Sequence, residues 1–249
     1  MAPGFLAVLS ETGSQVSLDE FHDWYDNEHI PLRLNHLPSF LSGARYQAID
    51  GVKPSWNAVY EIDDTKSFGD PSYTGLREKR SQREADVVAK LEVLDRRICE
   101  VVGEATAEDV DKRTTGFRVG NPSRWVVTHG IGKSSGIVDD DDEIVVGKWL
   151  DEVVTKVKNS STVEGWVHTR VFKILESGKT GVGLPVDEEE ALSHFVLHGE
   201  SLFSFASYPS ILIGGFRFRI CLGGKCQLSH FPRDCRKTIS VVVSSTFRV

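Results

Sequence analysis

The stretch Phe21-His22-Asp23-Trp24-Tyr25-Asp26-Asn27-Glu28-His29-Ile30-Pro31 crowds two histidines and three carboxylates around Trp24 and Tyr25. On a helix, residues seven apart project from nearly one side, so His22 and His29 share a face, with Tyr25 and Asp26 at helical spacing between them. Imidazole exchanges a proton near neutrality, with an ordinary pKa of about 6.5, so such a face can both hold and protonate a small molecule. A buried histidine satisfied by a neighbouring carboxylate is the ordinary alternative. Leu or Ala would pack a helix without the partners that two imidazoles and a phenol require, which favours a site.

Outward from this segment the elements are punctuated clearly. Residues 5–11 read as a strand entering the turn Thr12-Gly13-Ser14. Ser17 and Glu20 match a capping box, and the helix they open is expected to stop or kink at Pro31. Strands follow at 40–49 and 56–62 around a turn-rich 50–55, then a charged helix at 73–94 and a strand at 97–104. The charges of that helix, Glu84 and Arg83 among them, read as a solvated ion-pair lattice without chemistry. The order βαββαβ is that of a ferredoxin-like domain, placed at residues 1–106. One face of such a two-layer sheet stays uncovered, and pairing two sheets covers it and can enclose a pocket.

Residues 107–124 read as a linker, and residues 125–199 as a second copy. Strands are expected at 125–131, 166–175 and 191–198, with an amphipathic helix at 143–158. Trp149-Leu150-Asp151 echoes Trp24-Tyr25-Asp26, and Gly165 echoes Gly43. Gly147 stands where the first copy has His22, and nothing answers His29, so chemistry is assigned to the first half. His129 and His168 fall on strands that could line a shared interior. No second helix or fourth strand is evident in the second copy. Residues 200–249 change to basic and apolar text, read either as a strand extension or as an intron or frame-shift translation, since Gly199-Glu200-Ser201 is what a splice-donor sequence would encode. The fold class is therefore α+β: tandem ferredoxin-like repeats in a dimeric-α/β-barrel-type arrangement, the second repeat incomplete.

A net charge of -7 on 249 residues argues against a nucleic-acid surface. No apolar run is long enough for a membrane span, and the first residues lack a secretory pattern, so the cytoplasm is the expected location. Cys99 stands alone, and Cys221, Cys226, Cys235 and His230 depart from structural zinc spacing. No dinucleotide-binding glycine motif, P-loop or metal triad occurs, so no cofactor and no metal are expected. The partner expected is a small organic substrate.

The segment Glu20 to Arg33, with Gly43-Ala44-Arg45-Tyr46, Pro54-Ser55-Trp56, Tyr73-Thr74-Gly75-Leu76-Arg77 and Arg80-Ser81-Gln82-Arg83-Glu84, resembles the EthD-like family of dimeric α/β-barrel proteins, particularly its fungal members. The resemblance covers the first hundred residues closely, the middle weakly and the last fifty not at all. It implies a barrel of two facing sheets, within one chain or in a homodimer, with a site between the sheet and the first helix. His29 would do acid/base work with His22, oriented by Glu28 and Asp26, and Trp24, Tyr25, Asp26, Arg45 and Tyr46 would contact the substrate. The implied activity is decarboxylation, dehydration or cyclisation of an aromatic or polyketide-like compound without a cofactor. A cofactor-free oxygenase and a non-catalytic binding protein are the alternatives.

Overall fold

The computed structural model describes residues 2–49, 51–107, 117, 122–132, 147–148, 150–152, 155, 166–183, 192–200, 211–213, 216–218 and 239–244. β1 (Gly4–Glu11) is buried along its whole length because it is covered on both faces. Leu6 and Val8 pack beneath helices, while Phe5 and Ala7 point into a second core on the other side of the sheet.

α1 (Leu18–Trp24) begins at Ser17, whose Oγ accepts the Glu20 N–H at 3.2 Å, as the capping box predicts. Pro31 does not end the helical path. A π-helical turn (Tyr25–His29) leads into α2 (Ile30–Leu34), where Pro31 sits in the first turn, the place at which a missing N–H is tolerated. β2 (Phe40–Ala48), β3 (Trp56–Ile62) and a 3₁₀ turn (Thr65–Gly69) follow. The single helix expected at 73–94 is two helices, α3 (Pro71–Glu78) and α4 (Gln82–Lys90). Ser81-Gln82-Arg83-Glu84 is itself a capping box and restarts the helix, the Ser81 Oγ accepting the Glu84 N–H at 2.9 Å. Val93 and Leu94 already belong to β4 (Val93–Thr106).

The remaining strands are β5 (Trp125–Gly132), β6 (Trp166–Thr180), β7 (Leu192–Glu200), β8 (Ile211–Ile213), β9 (Phe216–Phe218) and β10 (Ile239–Ser244). β1 to β7 form one curled antiparallel sheet, and β10 bridges its two edges, β2 and β5, closing the barrel β1-β3-β2-β10-β5-β7-β6-β4. The first half has the order β4-β1-β3-β2, and the second has β10-β5-β7-β6. β10 falls within residues 200–249 and pairs with a strand of each half. β8 and β9 pair as a separate ribbon.

Three core clusters result. Between the first-half sheet and its helices lie Phe21, Trp24, Tyr25, Trp56, Tyr60 and Leu91. Inside the barrel, Phe5 stacks on Phe172 at 3.9 Å. The expected linker contributes to this interior, for Phe117 is buried against Phe5 and Tyr46, and Ser123 is fully buried. Gly147, Lys148, Leu150, Asp151, Glu152 and Thr155 are helical, and Leu150 packs on Val171 and Val196. Trp149, Gly165, Asp139–Asp142, Cys221, Cys226, Cys235 and His230 lie outside the described residues. Among those described, no helix is long and apolar enough to cross a membrane.

Candidate functional site

The π-helical turn decides where the histidines go. Each of its residues rotates the chain less than an α-helical residue does, so His29 lags behind the position that an unbroken helix would give it. His22 and His29 therefore do not share one face. His22 reaches the sheet, while His29 is buried against α4.

His22 lies edge-on to Trp56, with ring centroids 4.7 Å apart, and its Nδ1 is 3.1 Å from an Arg45 terminal nitrogen. Partial burial and the Arg45 charge hold its pKa below the ordinary histidine value against the opposing pull of Asp26. Arg45 is not the exposed strand residue that its type suggests, for its side chain is 1% exposed. It pairs with Asp26 at 3.1 Å and lies 4.8 Å above the Tyr25 ring. Asp26 and the ring quadrupole offset part of the cost of burying the guanidinium.

Tyr25 continues the cluster to His29, their rings 4.9 Å apart, and Trp24 flanks His29 at 4.5 Å. His29 is 8% exposed, and its Nδ1 lies 3.1 Å from Glu84 Oε1. Burial pushes its pKa down to about 4, with Arg33 adding to the fall and Glu84 opposing it. For Glu84, burial acts upward but the His29 hydrogen bond and Arg33 outweigh it, so its carboxyl lies below the usual range. A neutral imidazole facing a carboxylate is the resulting state near neutrality.

The expectation that Glu28 and Asp26 orient His29 is corrected here. Glu28 accepts from Ser81 and lies 3.9 Å from Arg83, while Asp26 serves Arg45. Glu84 orients His29, although the helix carrying it reads as solvated in sequence. Its signal was the capping box at Ser81, which turns Glu84 inward at the third helical position.

Gly43 lets the Tyr60 ring lie directly against β2, since a Cβ there would come 2.8 Å from that ring. A Ser10 hydrogen bond works against the burial that raises the Tyr25 phenol's pKa, while Trp24 Nε1 and Tyr60 OH are buried without a hydrogen-bond partner among the described residues. Unpaired buried donors of this kind are rare in packed cores and suit a polar guest.

The structure therefore gathers His22, Trp24, Tyr25, Asp26, His29 and Arg45 under the first-half helices. Tyr46 lies elsewhere: it alternates to the other face of β2 and donates to the Ser123 carbonyl inside the barrel at 3.1 Å. His168 also faces the interior, edge-on to Phe117. His129 does not, for it meets His198 on the opposite face, Nε2 to Nε2 at 3.3 Å. Among the described residues, no group of three or more metal-ligating side chains forms.

No family model matches the chain, and no curated protein does. Solved structures do. An anthrone oxidase-like protein superposes with a TM-score of 0.50 at 10% identity, covering 98% of this chain and 92% of that one. A provisionally named monooxygenase from Lactobacillus acidophilus NCFM aligns with a TM-score of 0.47 at 8% identity, over 100% and 96% of the two chains. The likeness to the anthrone oxidase-like protein is one of fold, so this chain has the barrel-like α+β architecture of that protein.

Proposed function

We propose that this protein catalyses proton transfer on a small aromatic or polyketide-like compound, without a cofactor, at the site beneath its first helices. The observation that carries this reading is the buried, neutral His29 held against Glu84 beside Tyr25 and Arg45. A neutral imidazole accepts a proton from a weakly acidic C–H or O–H. The Arg45 guanidinium and the His22 ring then lie on the side where an enolate or phenolate oxygen would gather charge, and charge-directed donors stabilise it. Trp24, Tyr25 and Trp56 pack around these groups, so an aromatic guest admitted there would meet aromatic rings on several sides. Decarboxylation, dehydration and cyclisation all pass through such an anion.

The oxygenase reading is the second one, and its support is the anthrone oxidase-like protein of the same fold. In that case the anion made by His29 would itself react with dioxygen. Strand order supports a tandem arrangement, residues 1–106 and 125–199 with β10 as two ferredoxin-like units, and so a monomer with an internal pseudo-dimer of EthD-like type.

The test is ligand-induced thermal stabilisation by a panel of aromatic and polyketide-like acids, in the native protein and in His22→Ala/His29→Ala. A hit that the double variant loses supports the site, and product analysis under air and under argon then separates lyase from oxygenase. Equal stabilisation of both proteins would remove the histidines from the site.

A further inference from the structure

Two histidines of one segment meet partners of opposite hydrogen-bonding character. A guanidinium carries donors only, so the 3.1 Å contact between Arg45 and His22 requires a lone pair on His22 Nδ1. The proton of neutral His22 then resides on Nε2. An ionised carboxylate carries acceptors only, so the 3.1 Å contact between Glu84 and His29 requires a proton on His29 Nδ1. The lone pair of neutral His29 then resides on Nε2. Both partners are held in turn. Arg45 is fixed by Asp26 at 3.1 Å and by the Tyr25 ring, and Glu84 by its place in the first turn of α4 and by Arg33 at 3.9 Å.

We infer that Arg45 and Glu84 are positioning residues that lock the two imidazoles in opposite tautomers, so that His22 offers an N–H and His29 offers a lone pair. The two rings thereby divide the labour of acid and base without either changing its charge beforehand. Glu84 has the harder task, because a free histidine side chain in water favours the proton on Nε2, the reverse of what His29 holds here. The catalytic meaning of this division rests on the functional reading above, but the proton positions do not.

Two-bond proton–nitrogen correlation spectra of the full chain labelled with ¹⁵N-histidine, recorded near neutral pH without any ligand, read the tautomers directly. The expected spectrum shows His29 with a protonated Nδ1 and His22 with a protonated Nε2. Glu84→Gln keeps an acceptor oxygen and should retain the His29 pattern, while Glu84→Leu should let His29 revert to the Nε2–H form. Arg45→Met should let His22 titrate closer to the ordinary histidine value. A wild-type spectrum with His29 protonated on Nε2 overturns the inference whether or not the leucine variant folds, as does an unchanged His29 tautomer in Glu84→Leu. Correct tautomers in a protein that binds no panel compound would spare this inference and sink the functional reading. Wrong tautomers beside a histidine-dependent ligand hit would do the reverse.

Discussion

Both halves of the molecule hold histidines outside the barrel interior, but the company they keep differs. In the first half, His22 and His29 are met by charged groups, Arg45 and Glu84. In the second, His198 is met by a hydroxyl and another imidazole: Nδ1 lies 2.8 Å from Thr169 Oγ1, which also accepts the Trp166 indole N–H, and Nε2 faces His129. Neutral chains of this kind satisfy hydrogen bonds, and either proton direction along them is allowed. Charged partners choose a direction. A buried histidine becomes chemically poised through a partner that can only donate or only accept.

The largest way to break the contrast is to remove the wall on which His29 rests. Trp24→Ala should cost about 4 kcal/mol of stability, as deletion of a buried aromatic does, and should abolish ligand-induced stabilisation; denaturant unfolding measures it. Glu84→Ala should cost about 2 kcal/mol because it strands His29, whereas Thr169→Val should cost about 1 kcal/mol because only neutral hydrogen bonds are lost. Paired unfolding curves would show that order, and equal losses would contradict it.

Acid sharpens the comparison next. His29 and His198 both have folded pKa values near 4, chiefly from burial, against an ordinary 6.5. Below 6.5 the unfolded chain binds protons that the folded chain refuses, so stability is fully present above that value and is lost as pH falls toward about 4. His198→Gln should flatten this fall in melting temperature. Glu84→Gln should lower the His29 pKa further, since the Glu84 hydrogen bond raises it, and no change in a histidine titration would refute that assignment. The smallest effect belongs to Arg83→Ala, whose partners Asp23 and Glu28 lie on the solvated side of the helices. Its melting point should be indistinguishable from the parent's.

Much of this was legible in residue order. Ser17 with Glu20, the apolar run at 5–11 and the turn-rich 50–55 place β1, α1, β2 and β3, because each signal is local. The histidine segment also announces a site, since its composition is costly to bury. The π-helical turn was not legible, for nothing in Tyr25 to His29 forbids an ordinary helix, and the seven-residue spacing of His22 and His29 therefore misleads about their shared face. Arg45 and Tyr46 are neighbours in sequence, yet the alternation of β2 sends one to the histidines and the other into the barrel. Glu84 hides in a charged run, and β10 lies some forty residues beyond β7, where pairing depends on long-range closure that no local pattern encodes.

Both histidine pairs report in one spectrum. The ¹⁵N-histidine-labelled protein is titrated with the panel of aromatic and polyketide-like acids, and the ring signals of His22, His29, His129 and His198 are followed together. The account predicts saturable shifts at His22 and His29 while His129 and His198 stay still. Shifts confined to His129 and His198, or none at any histidine across the panel, would contradict it.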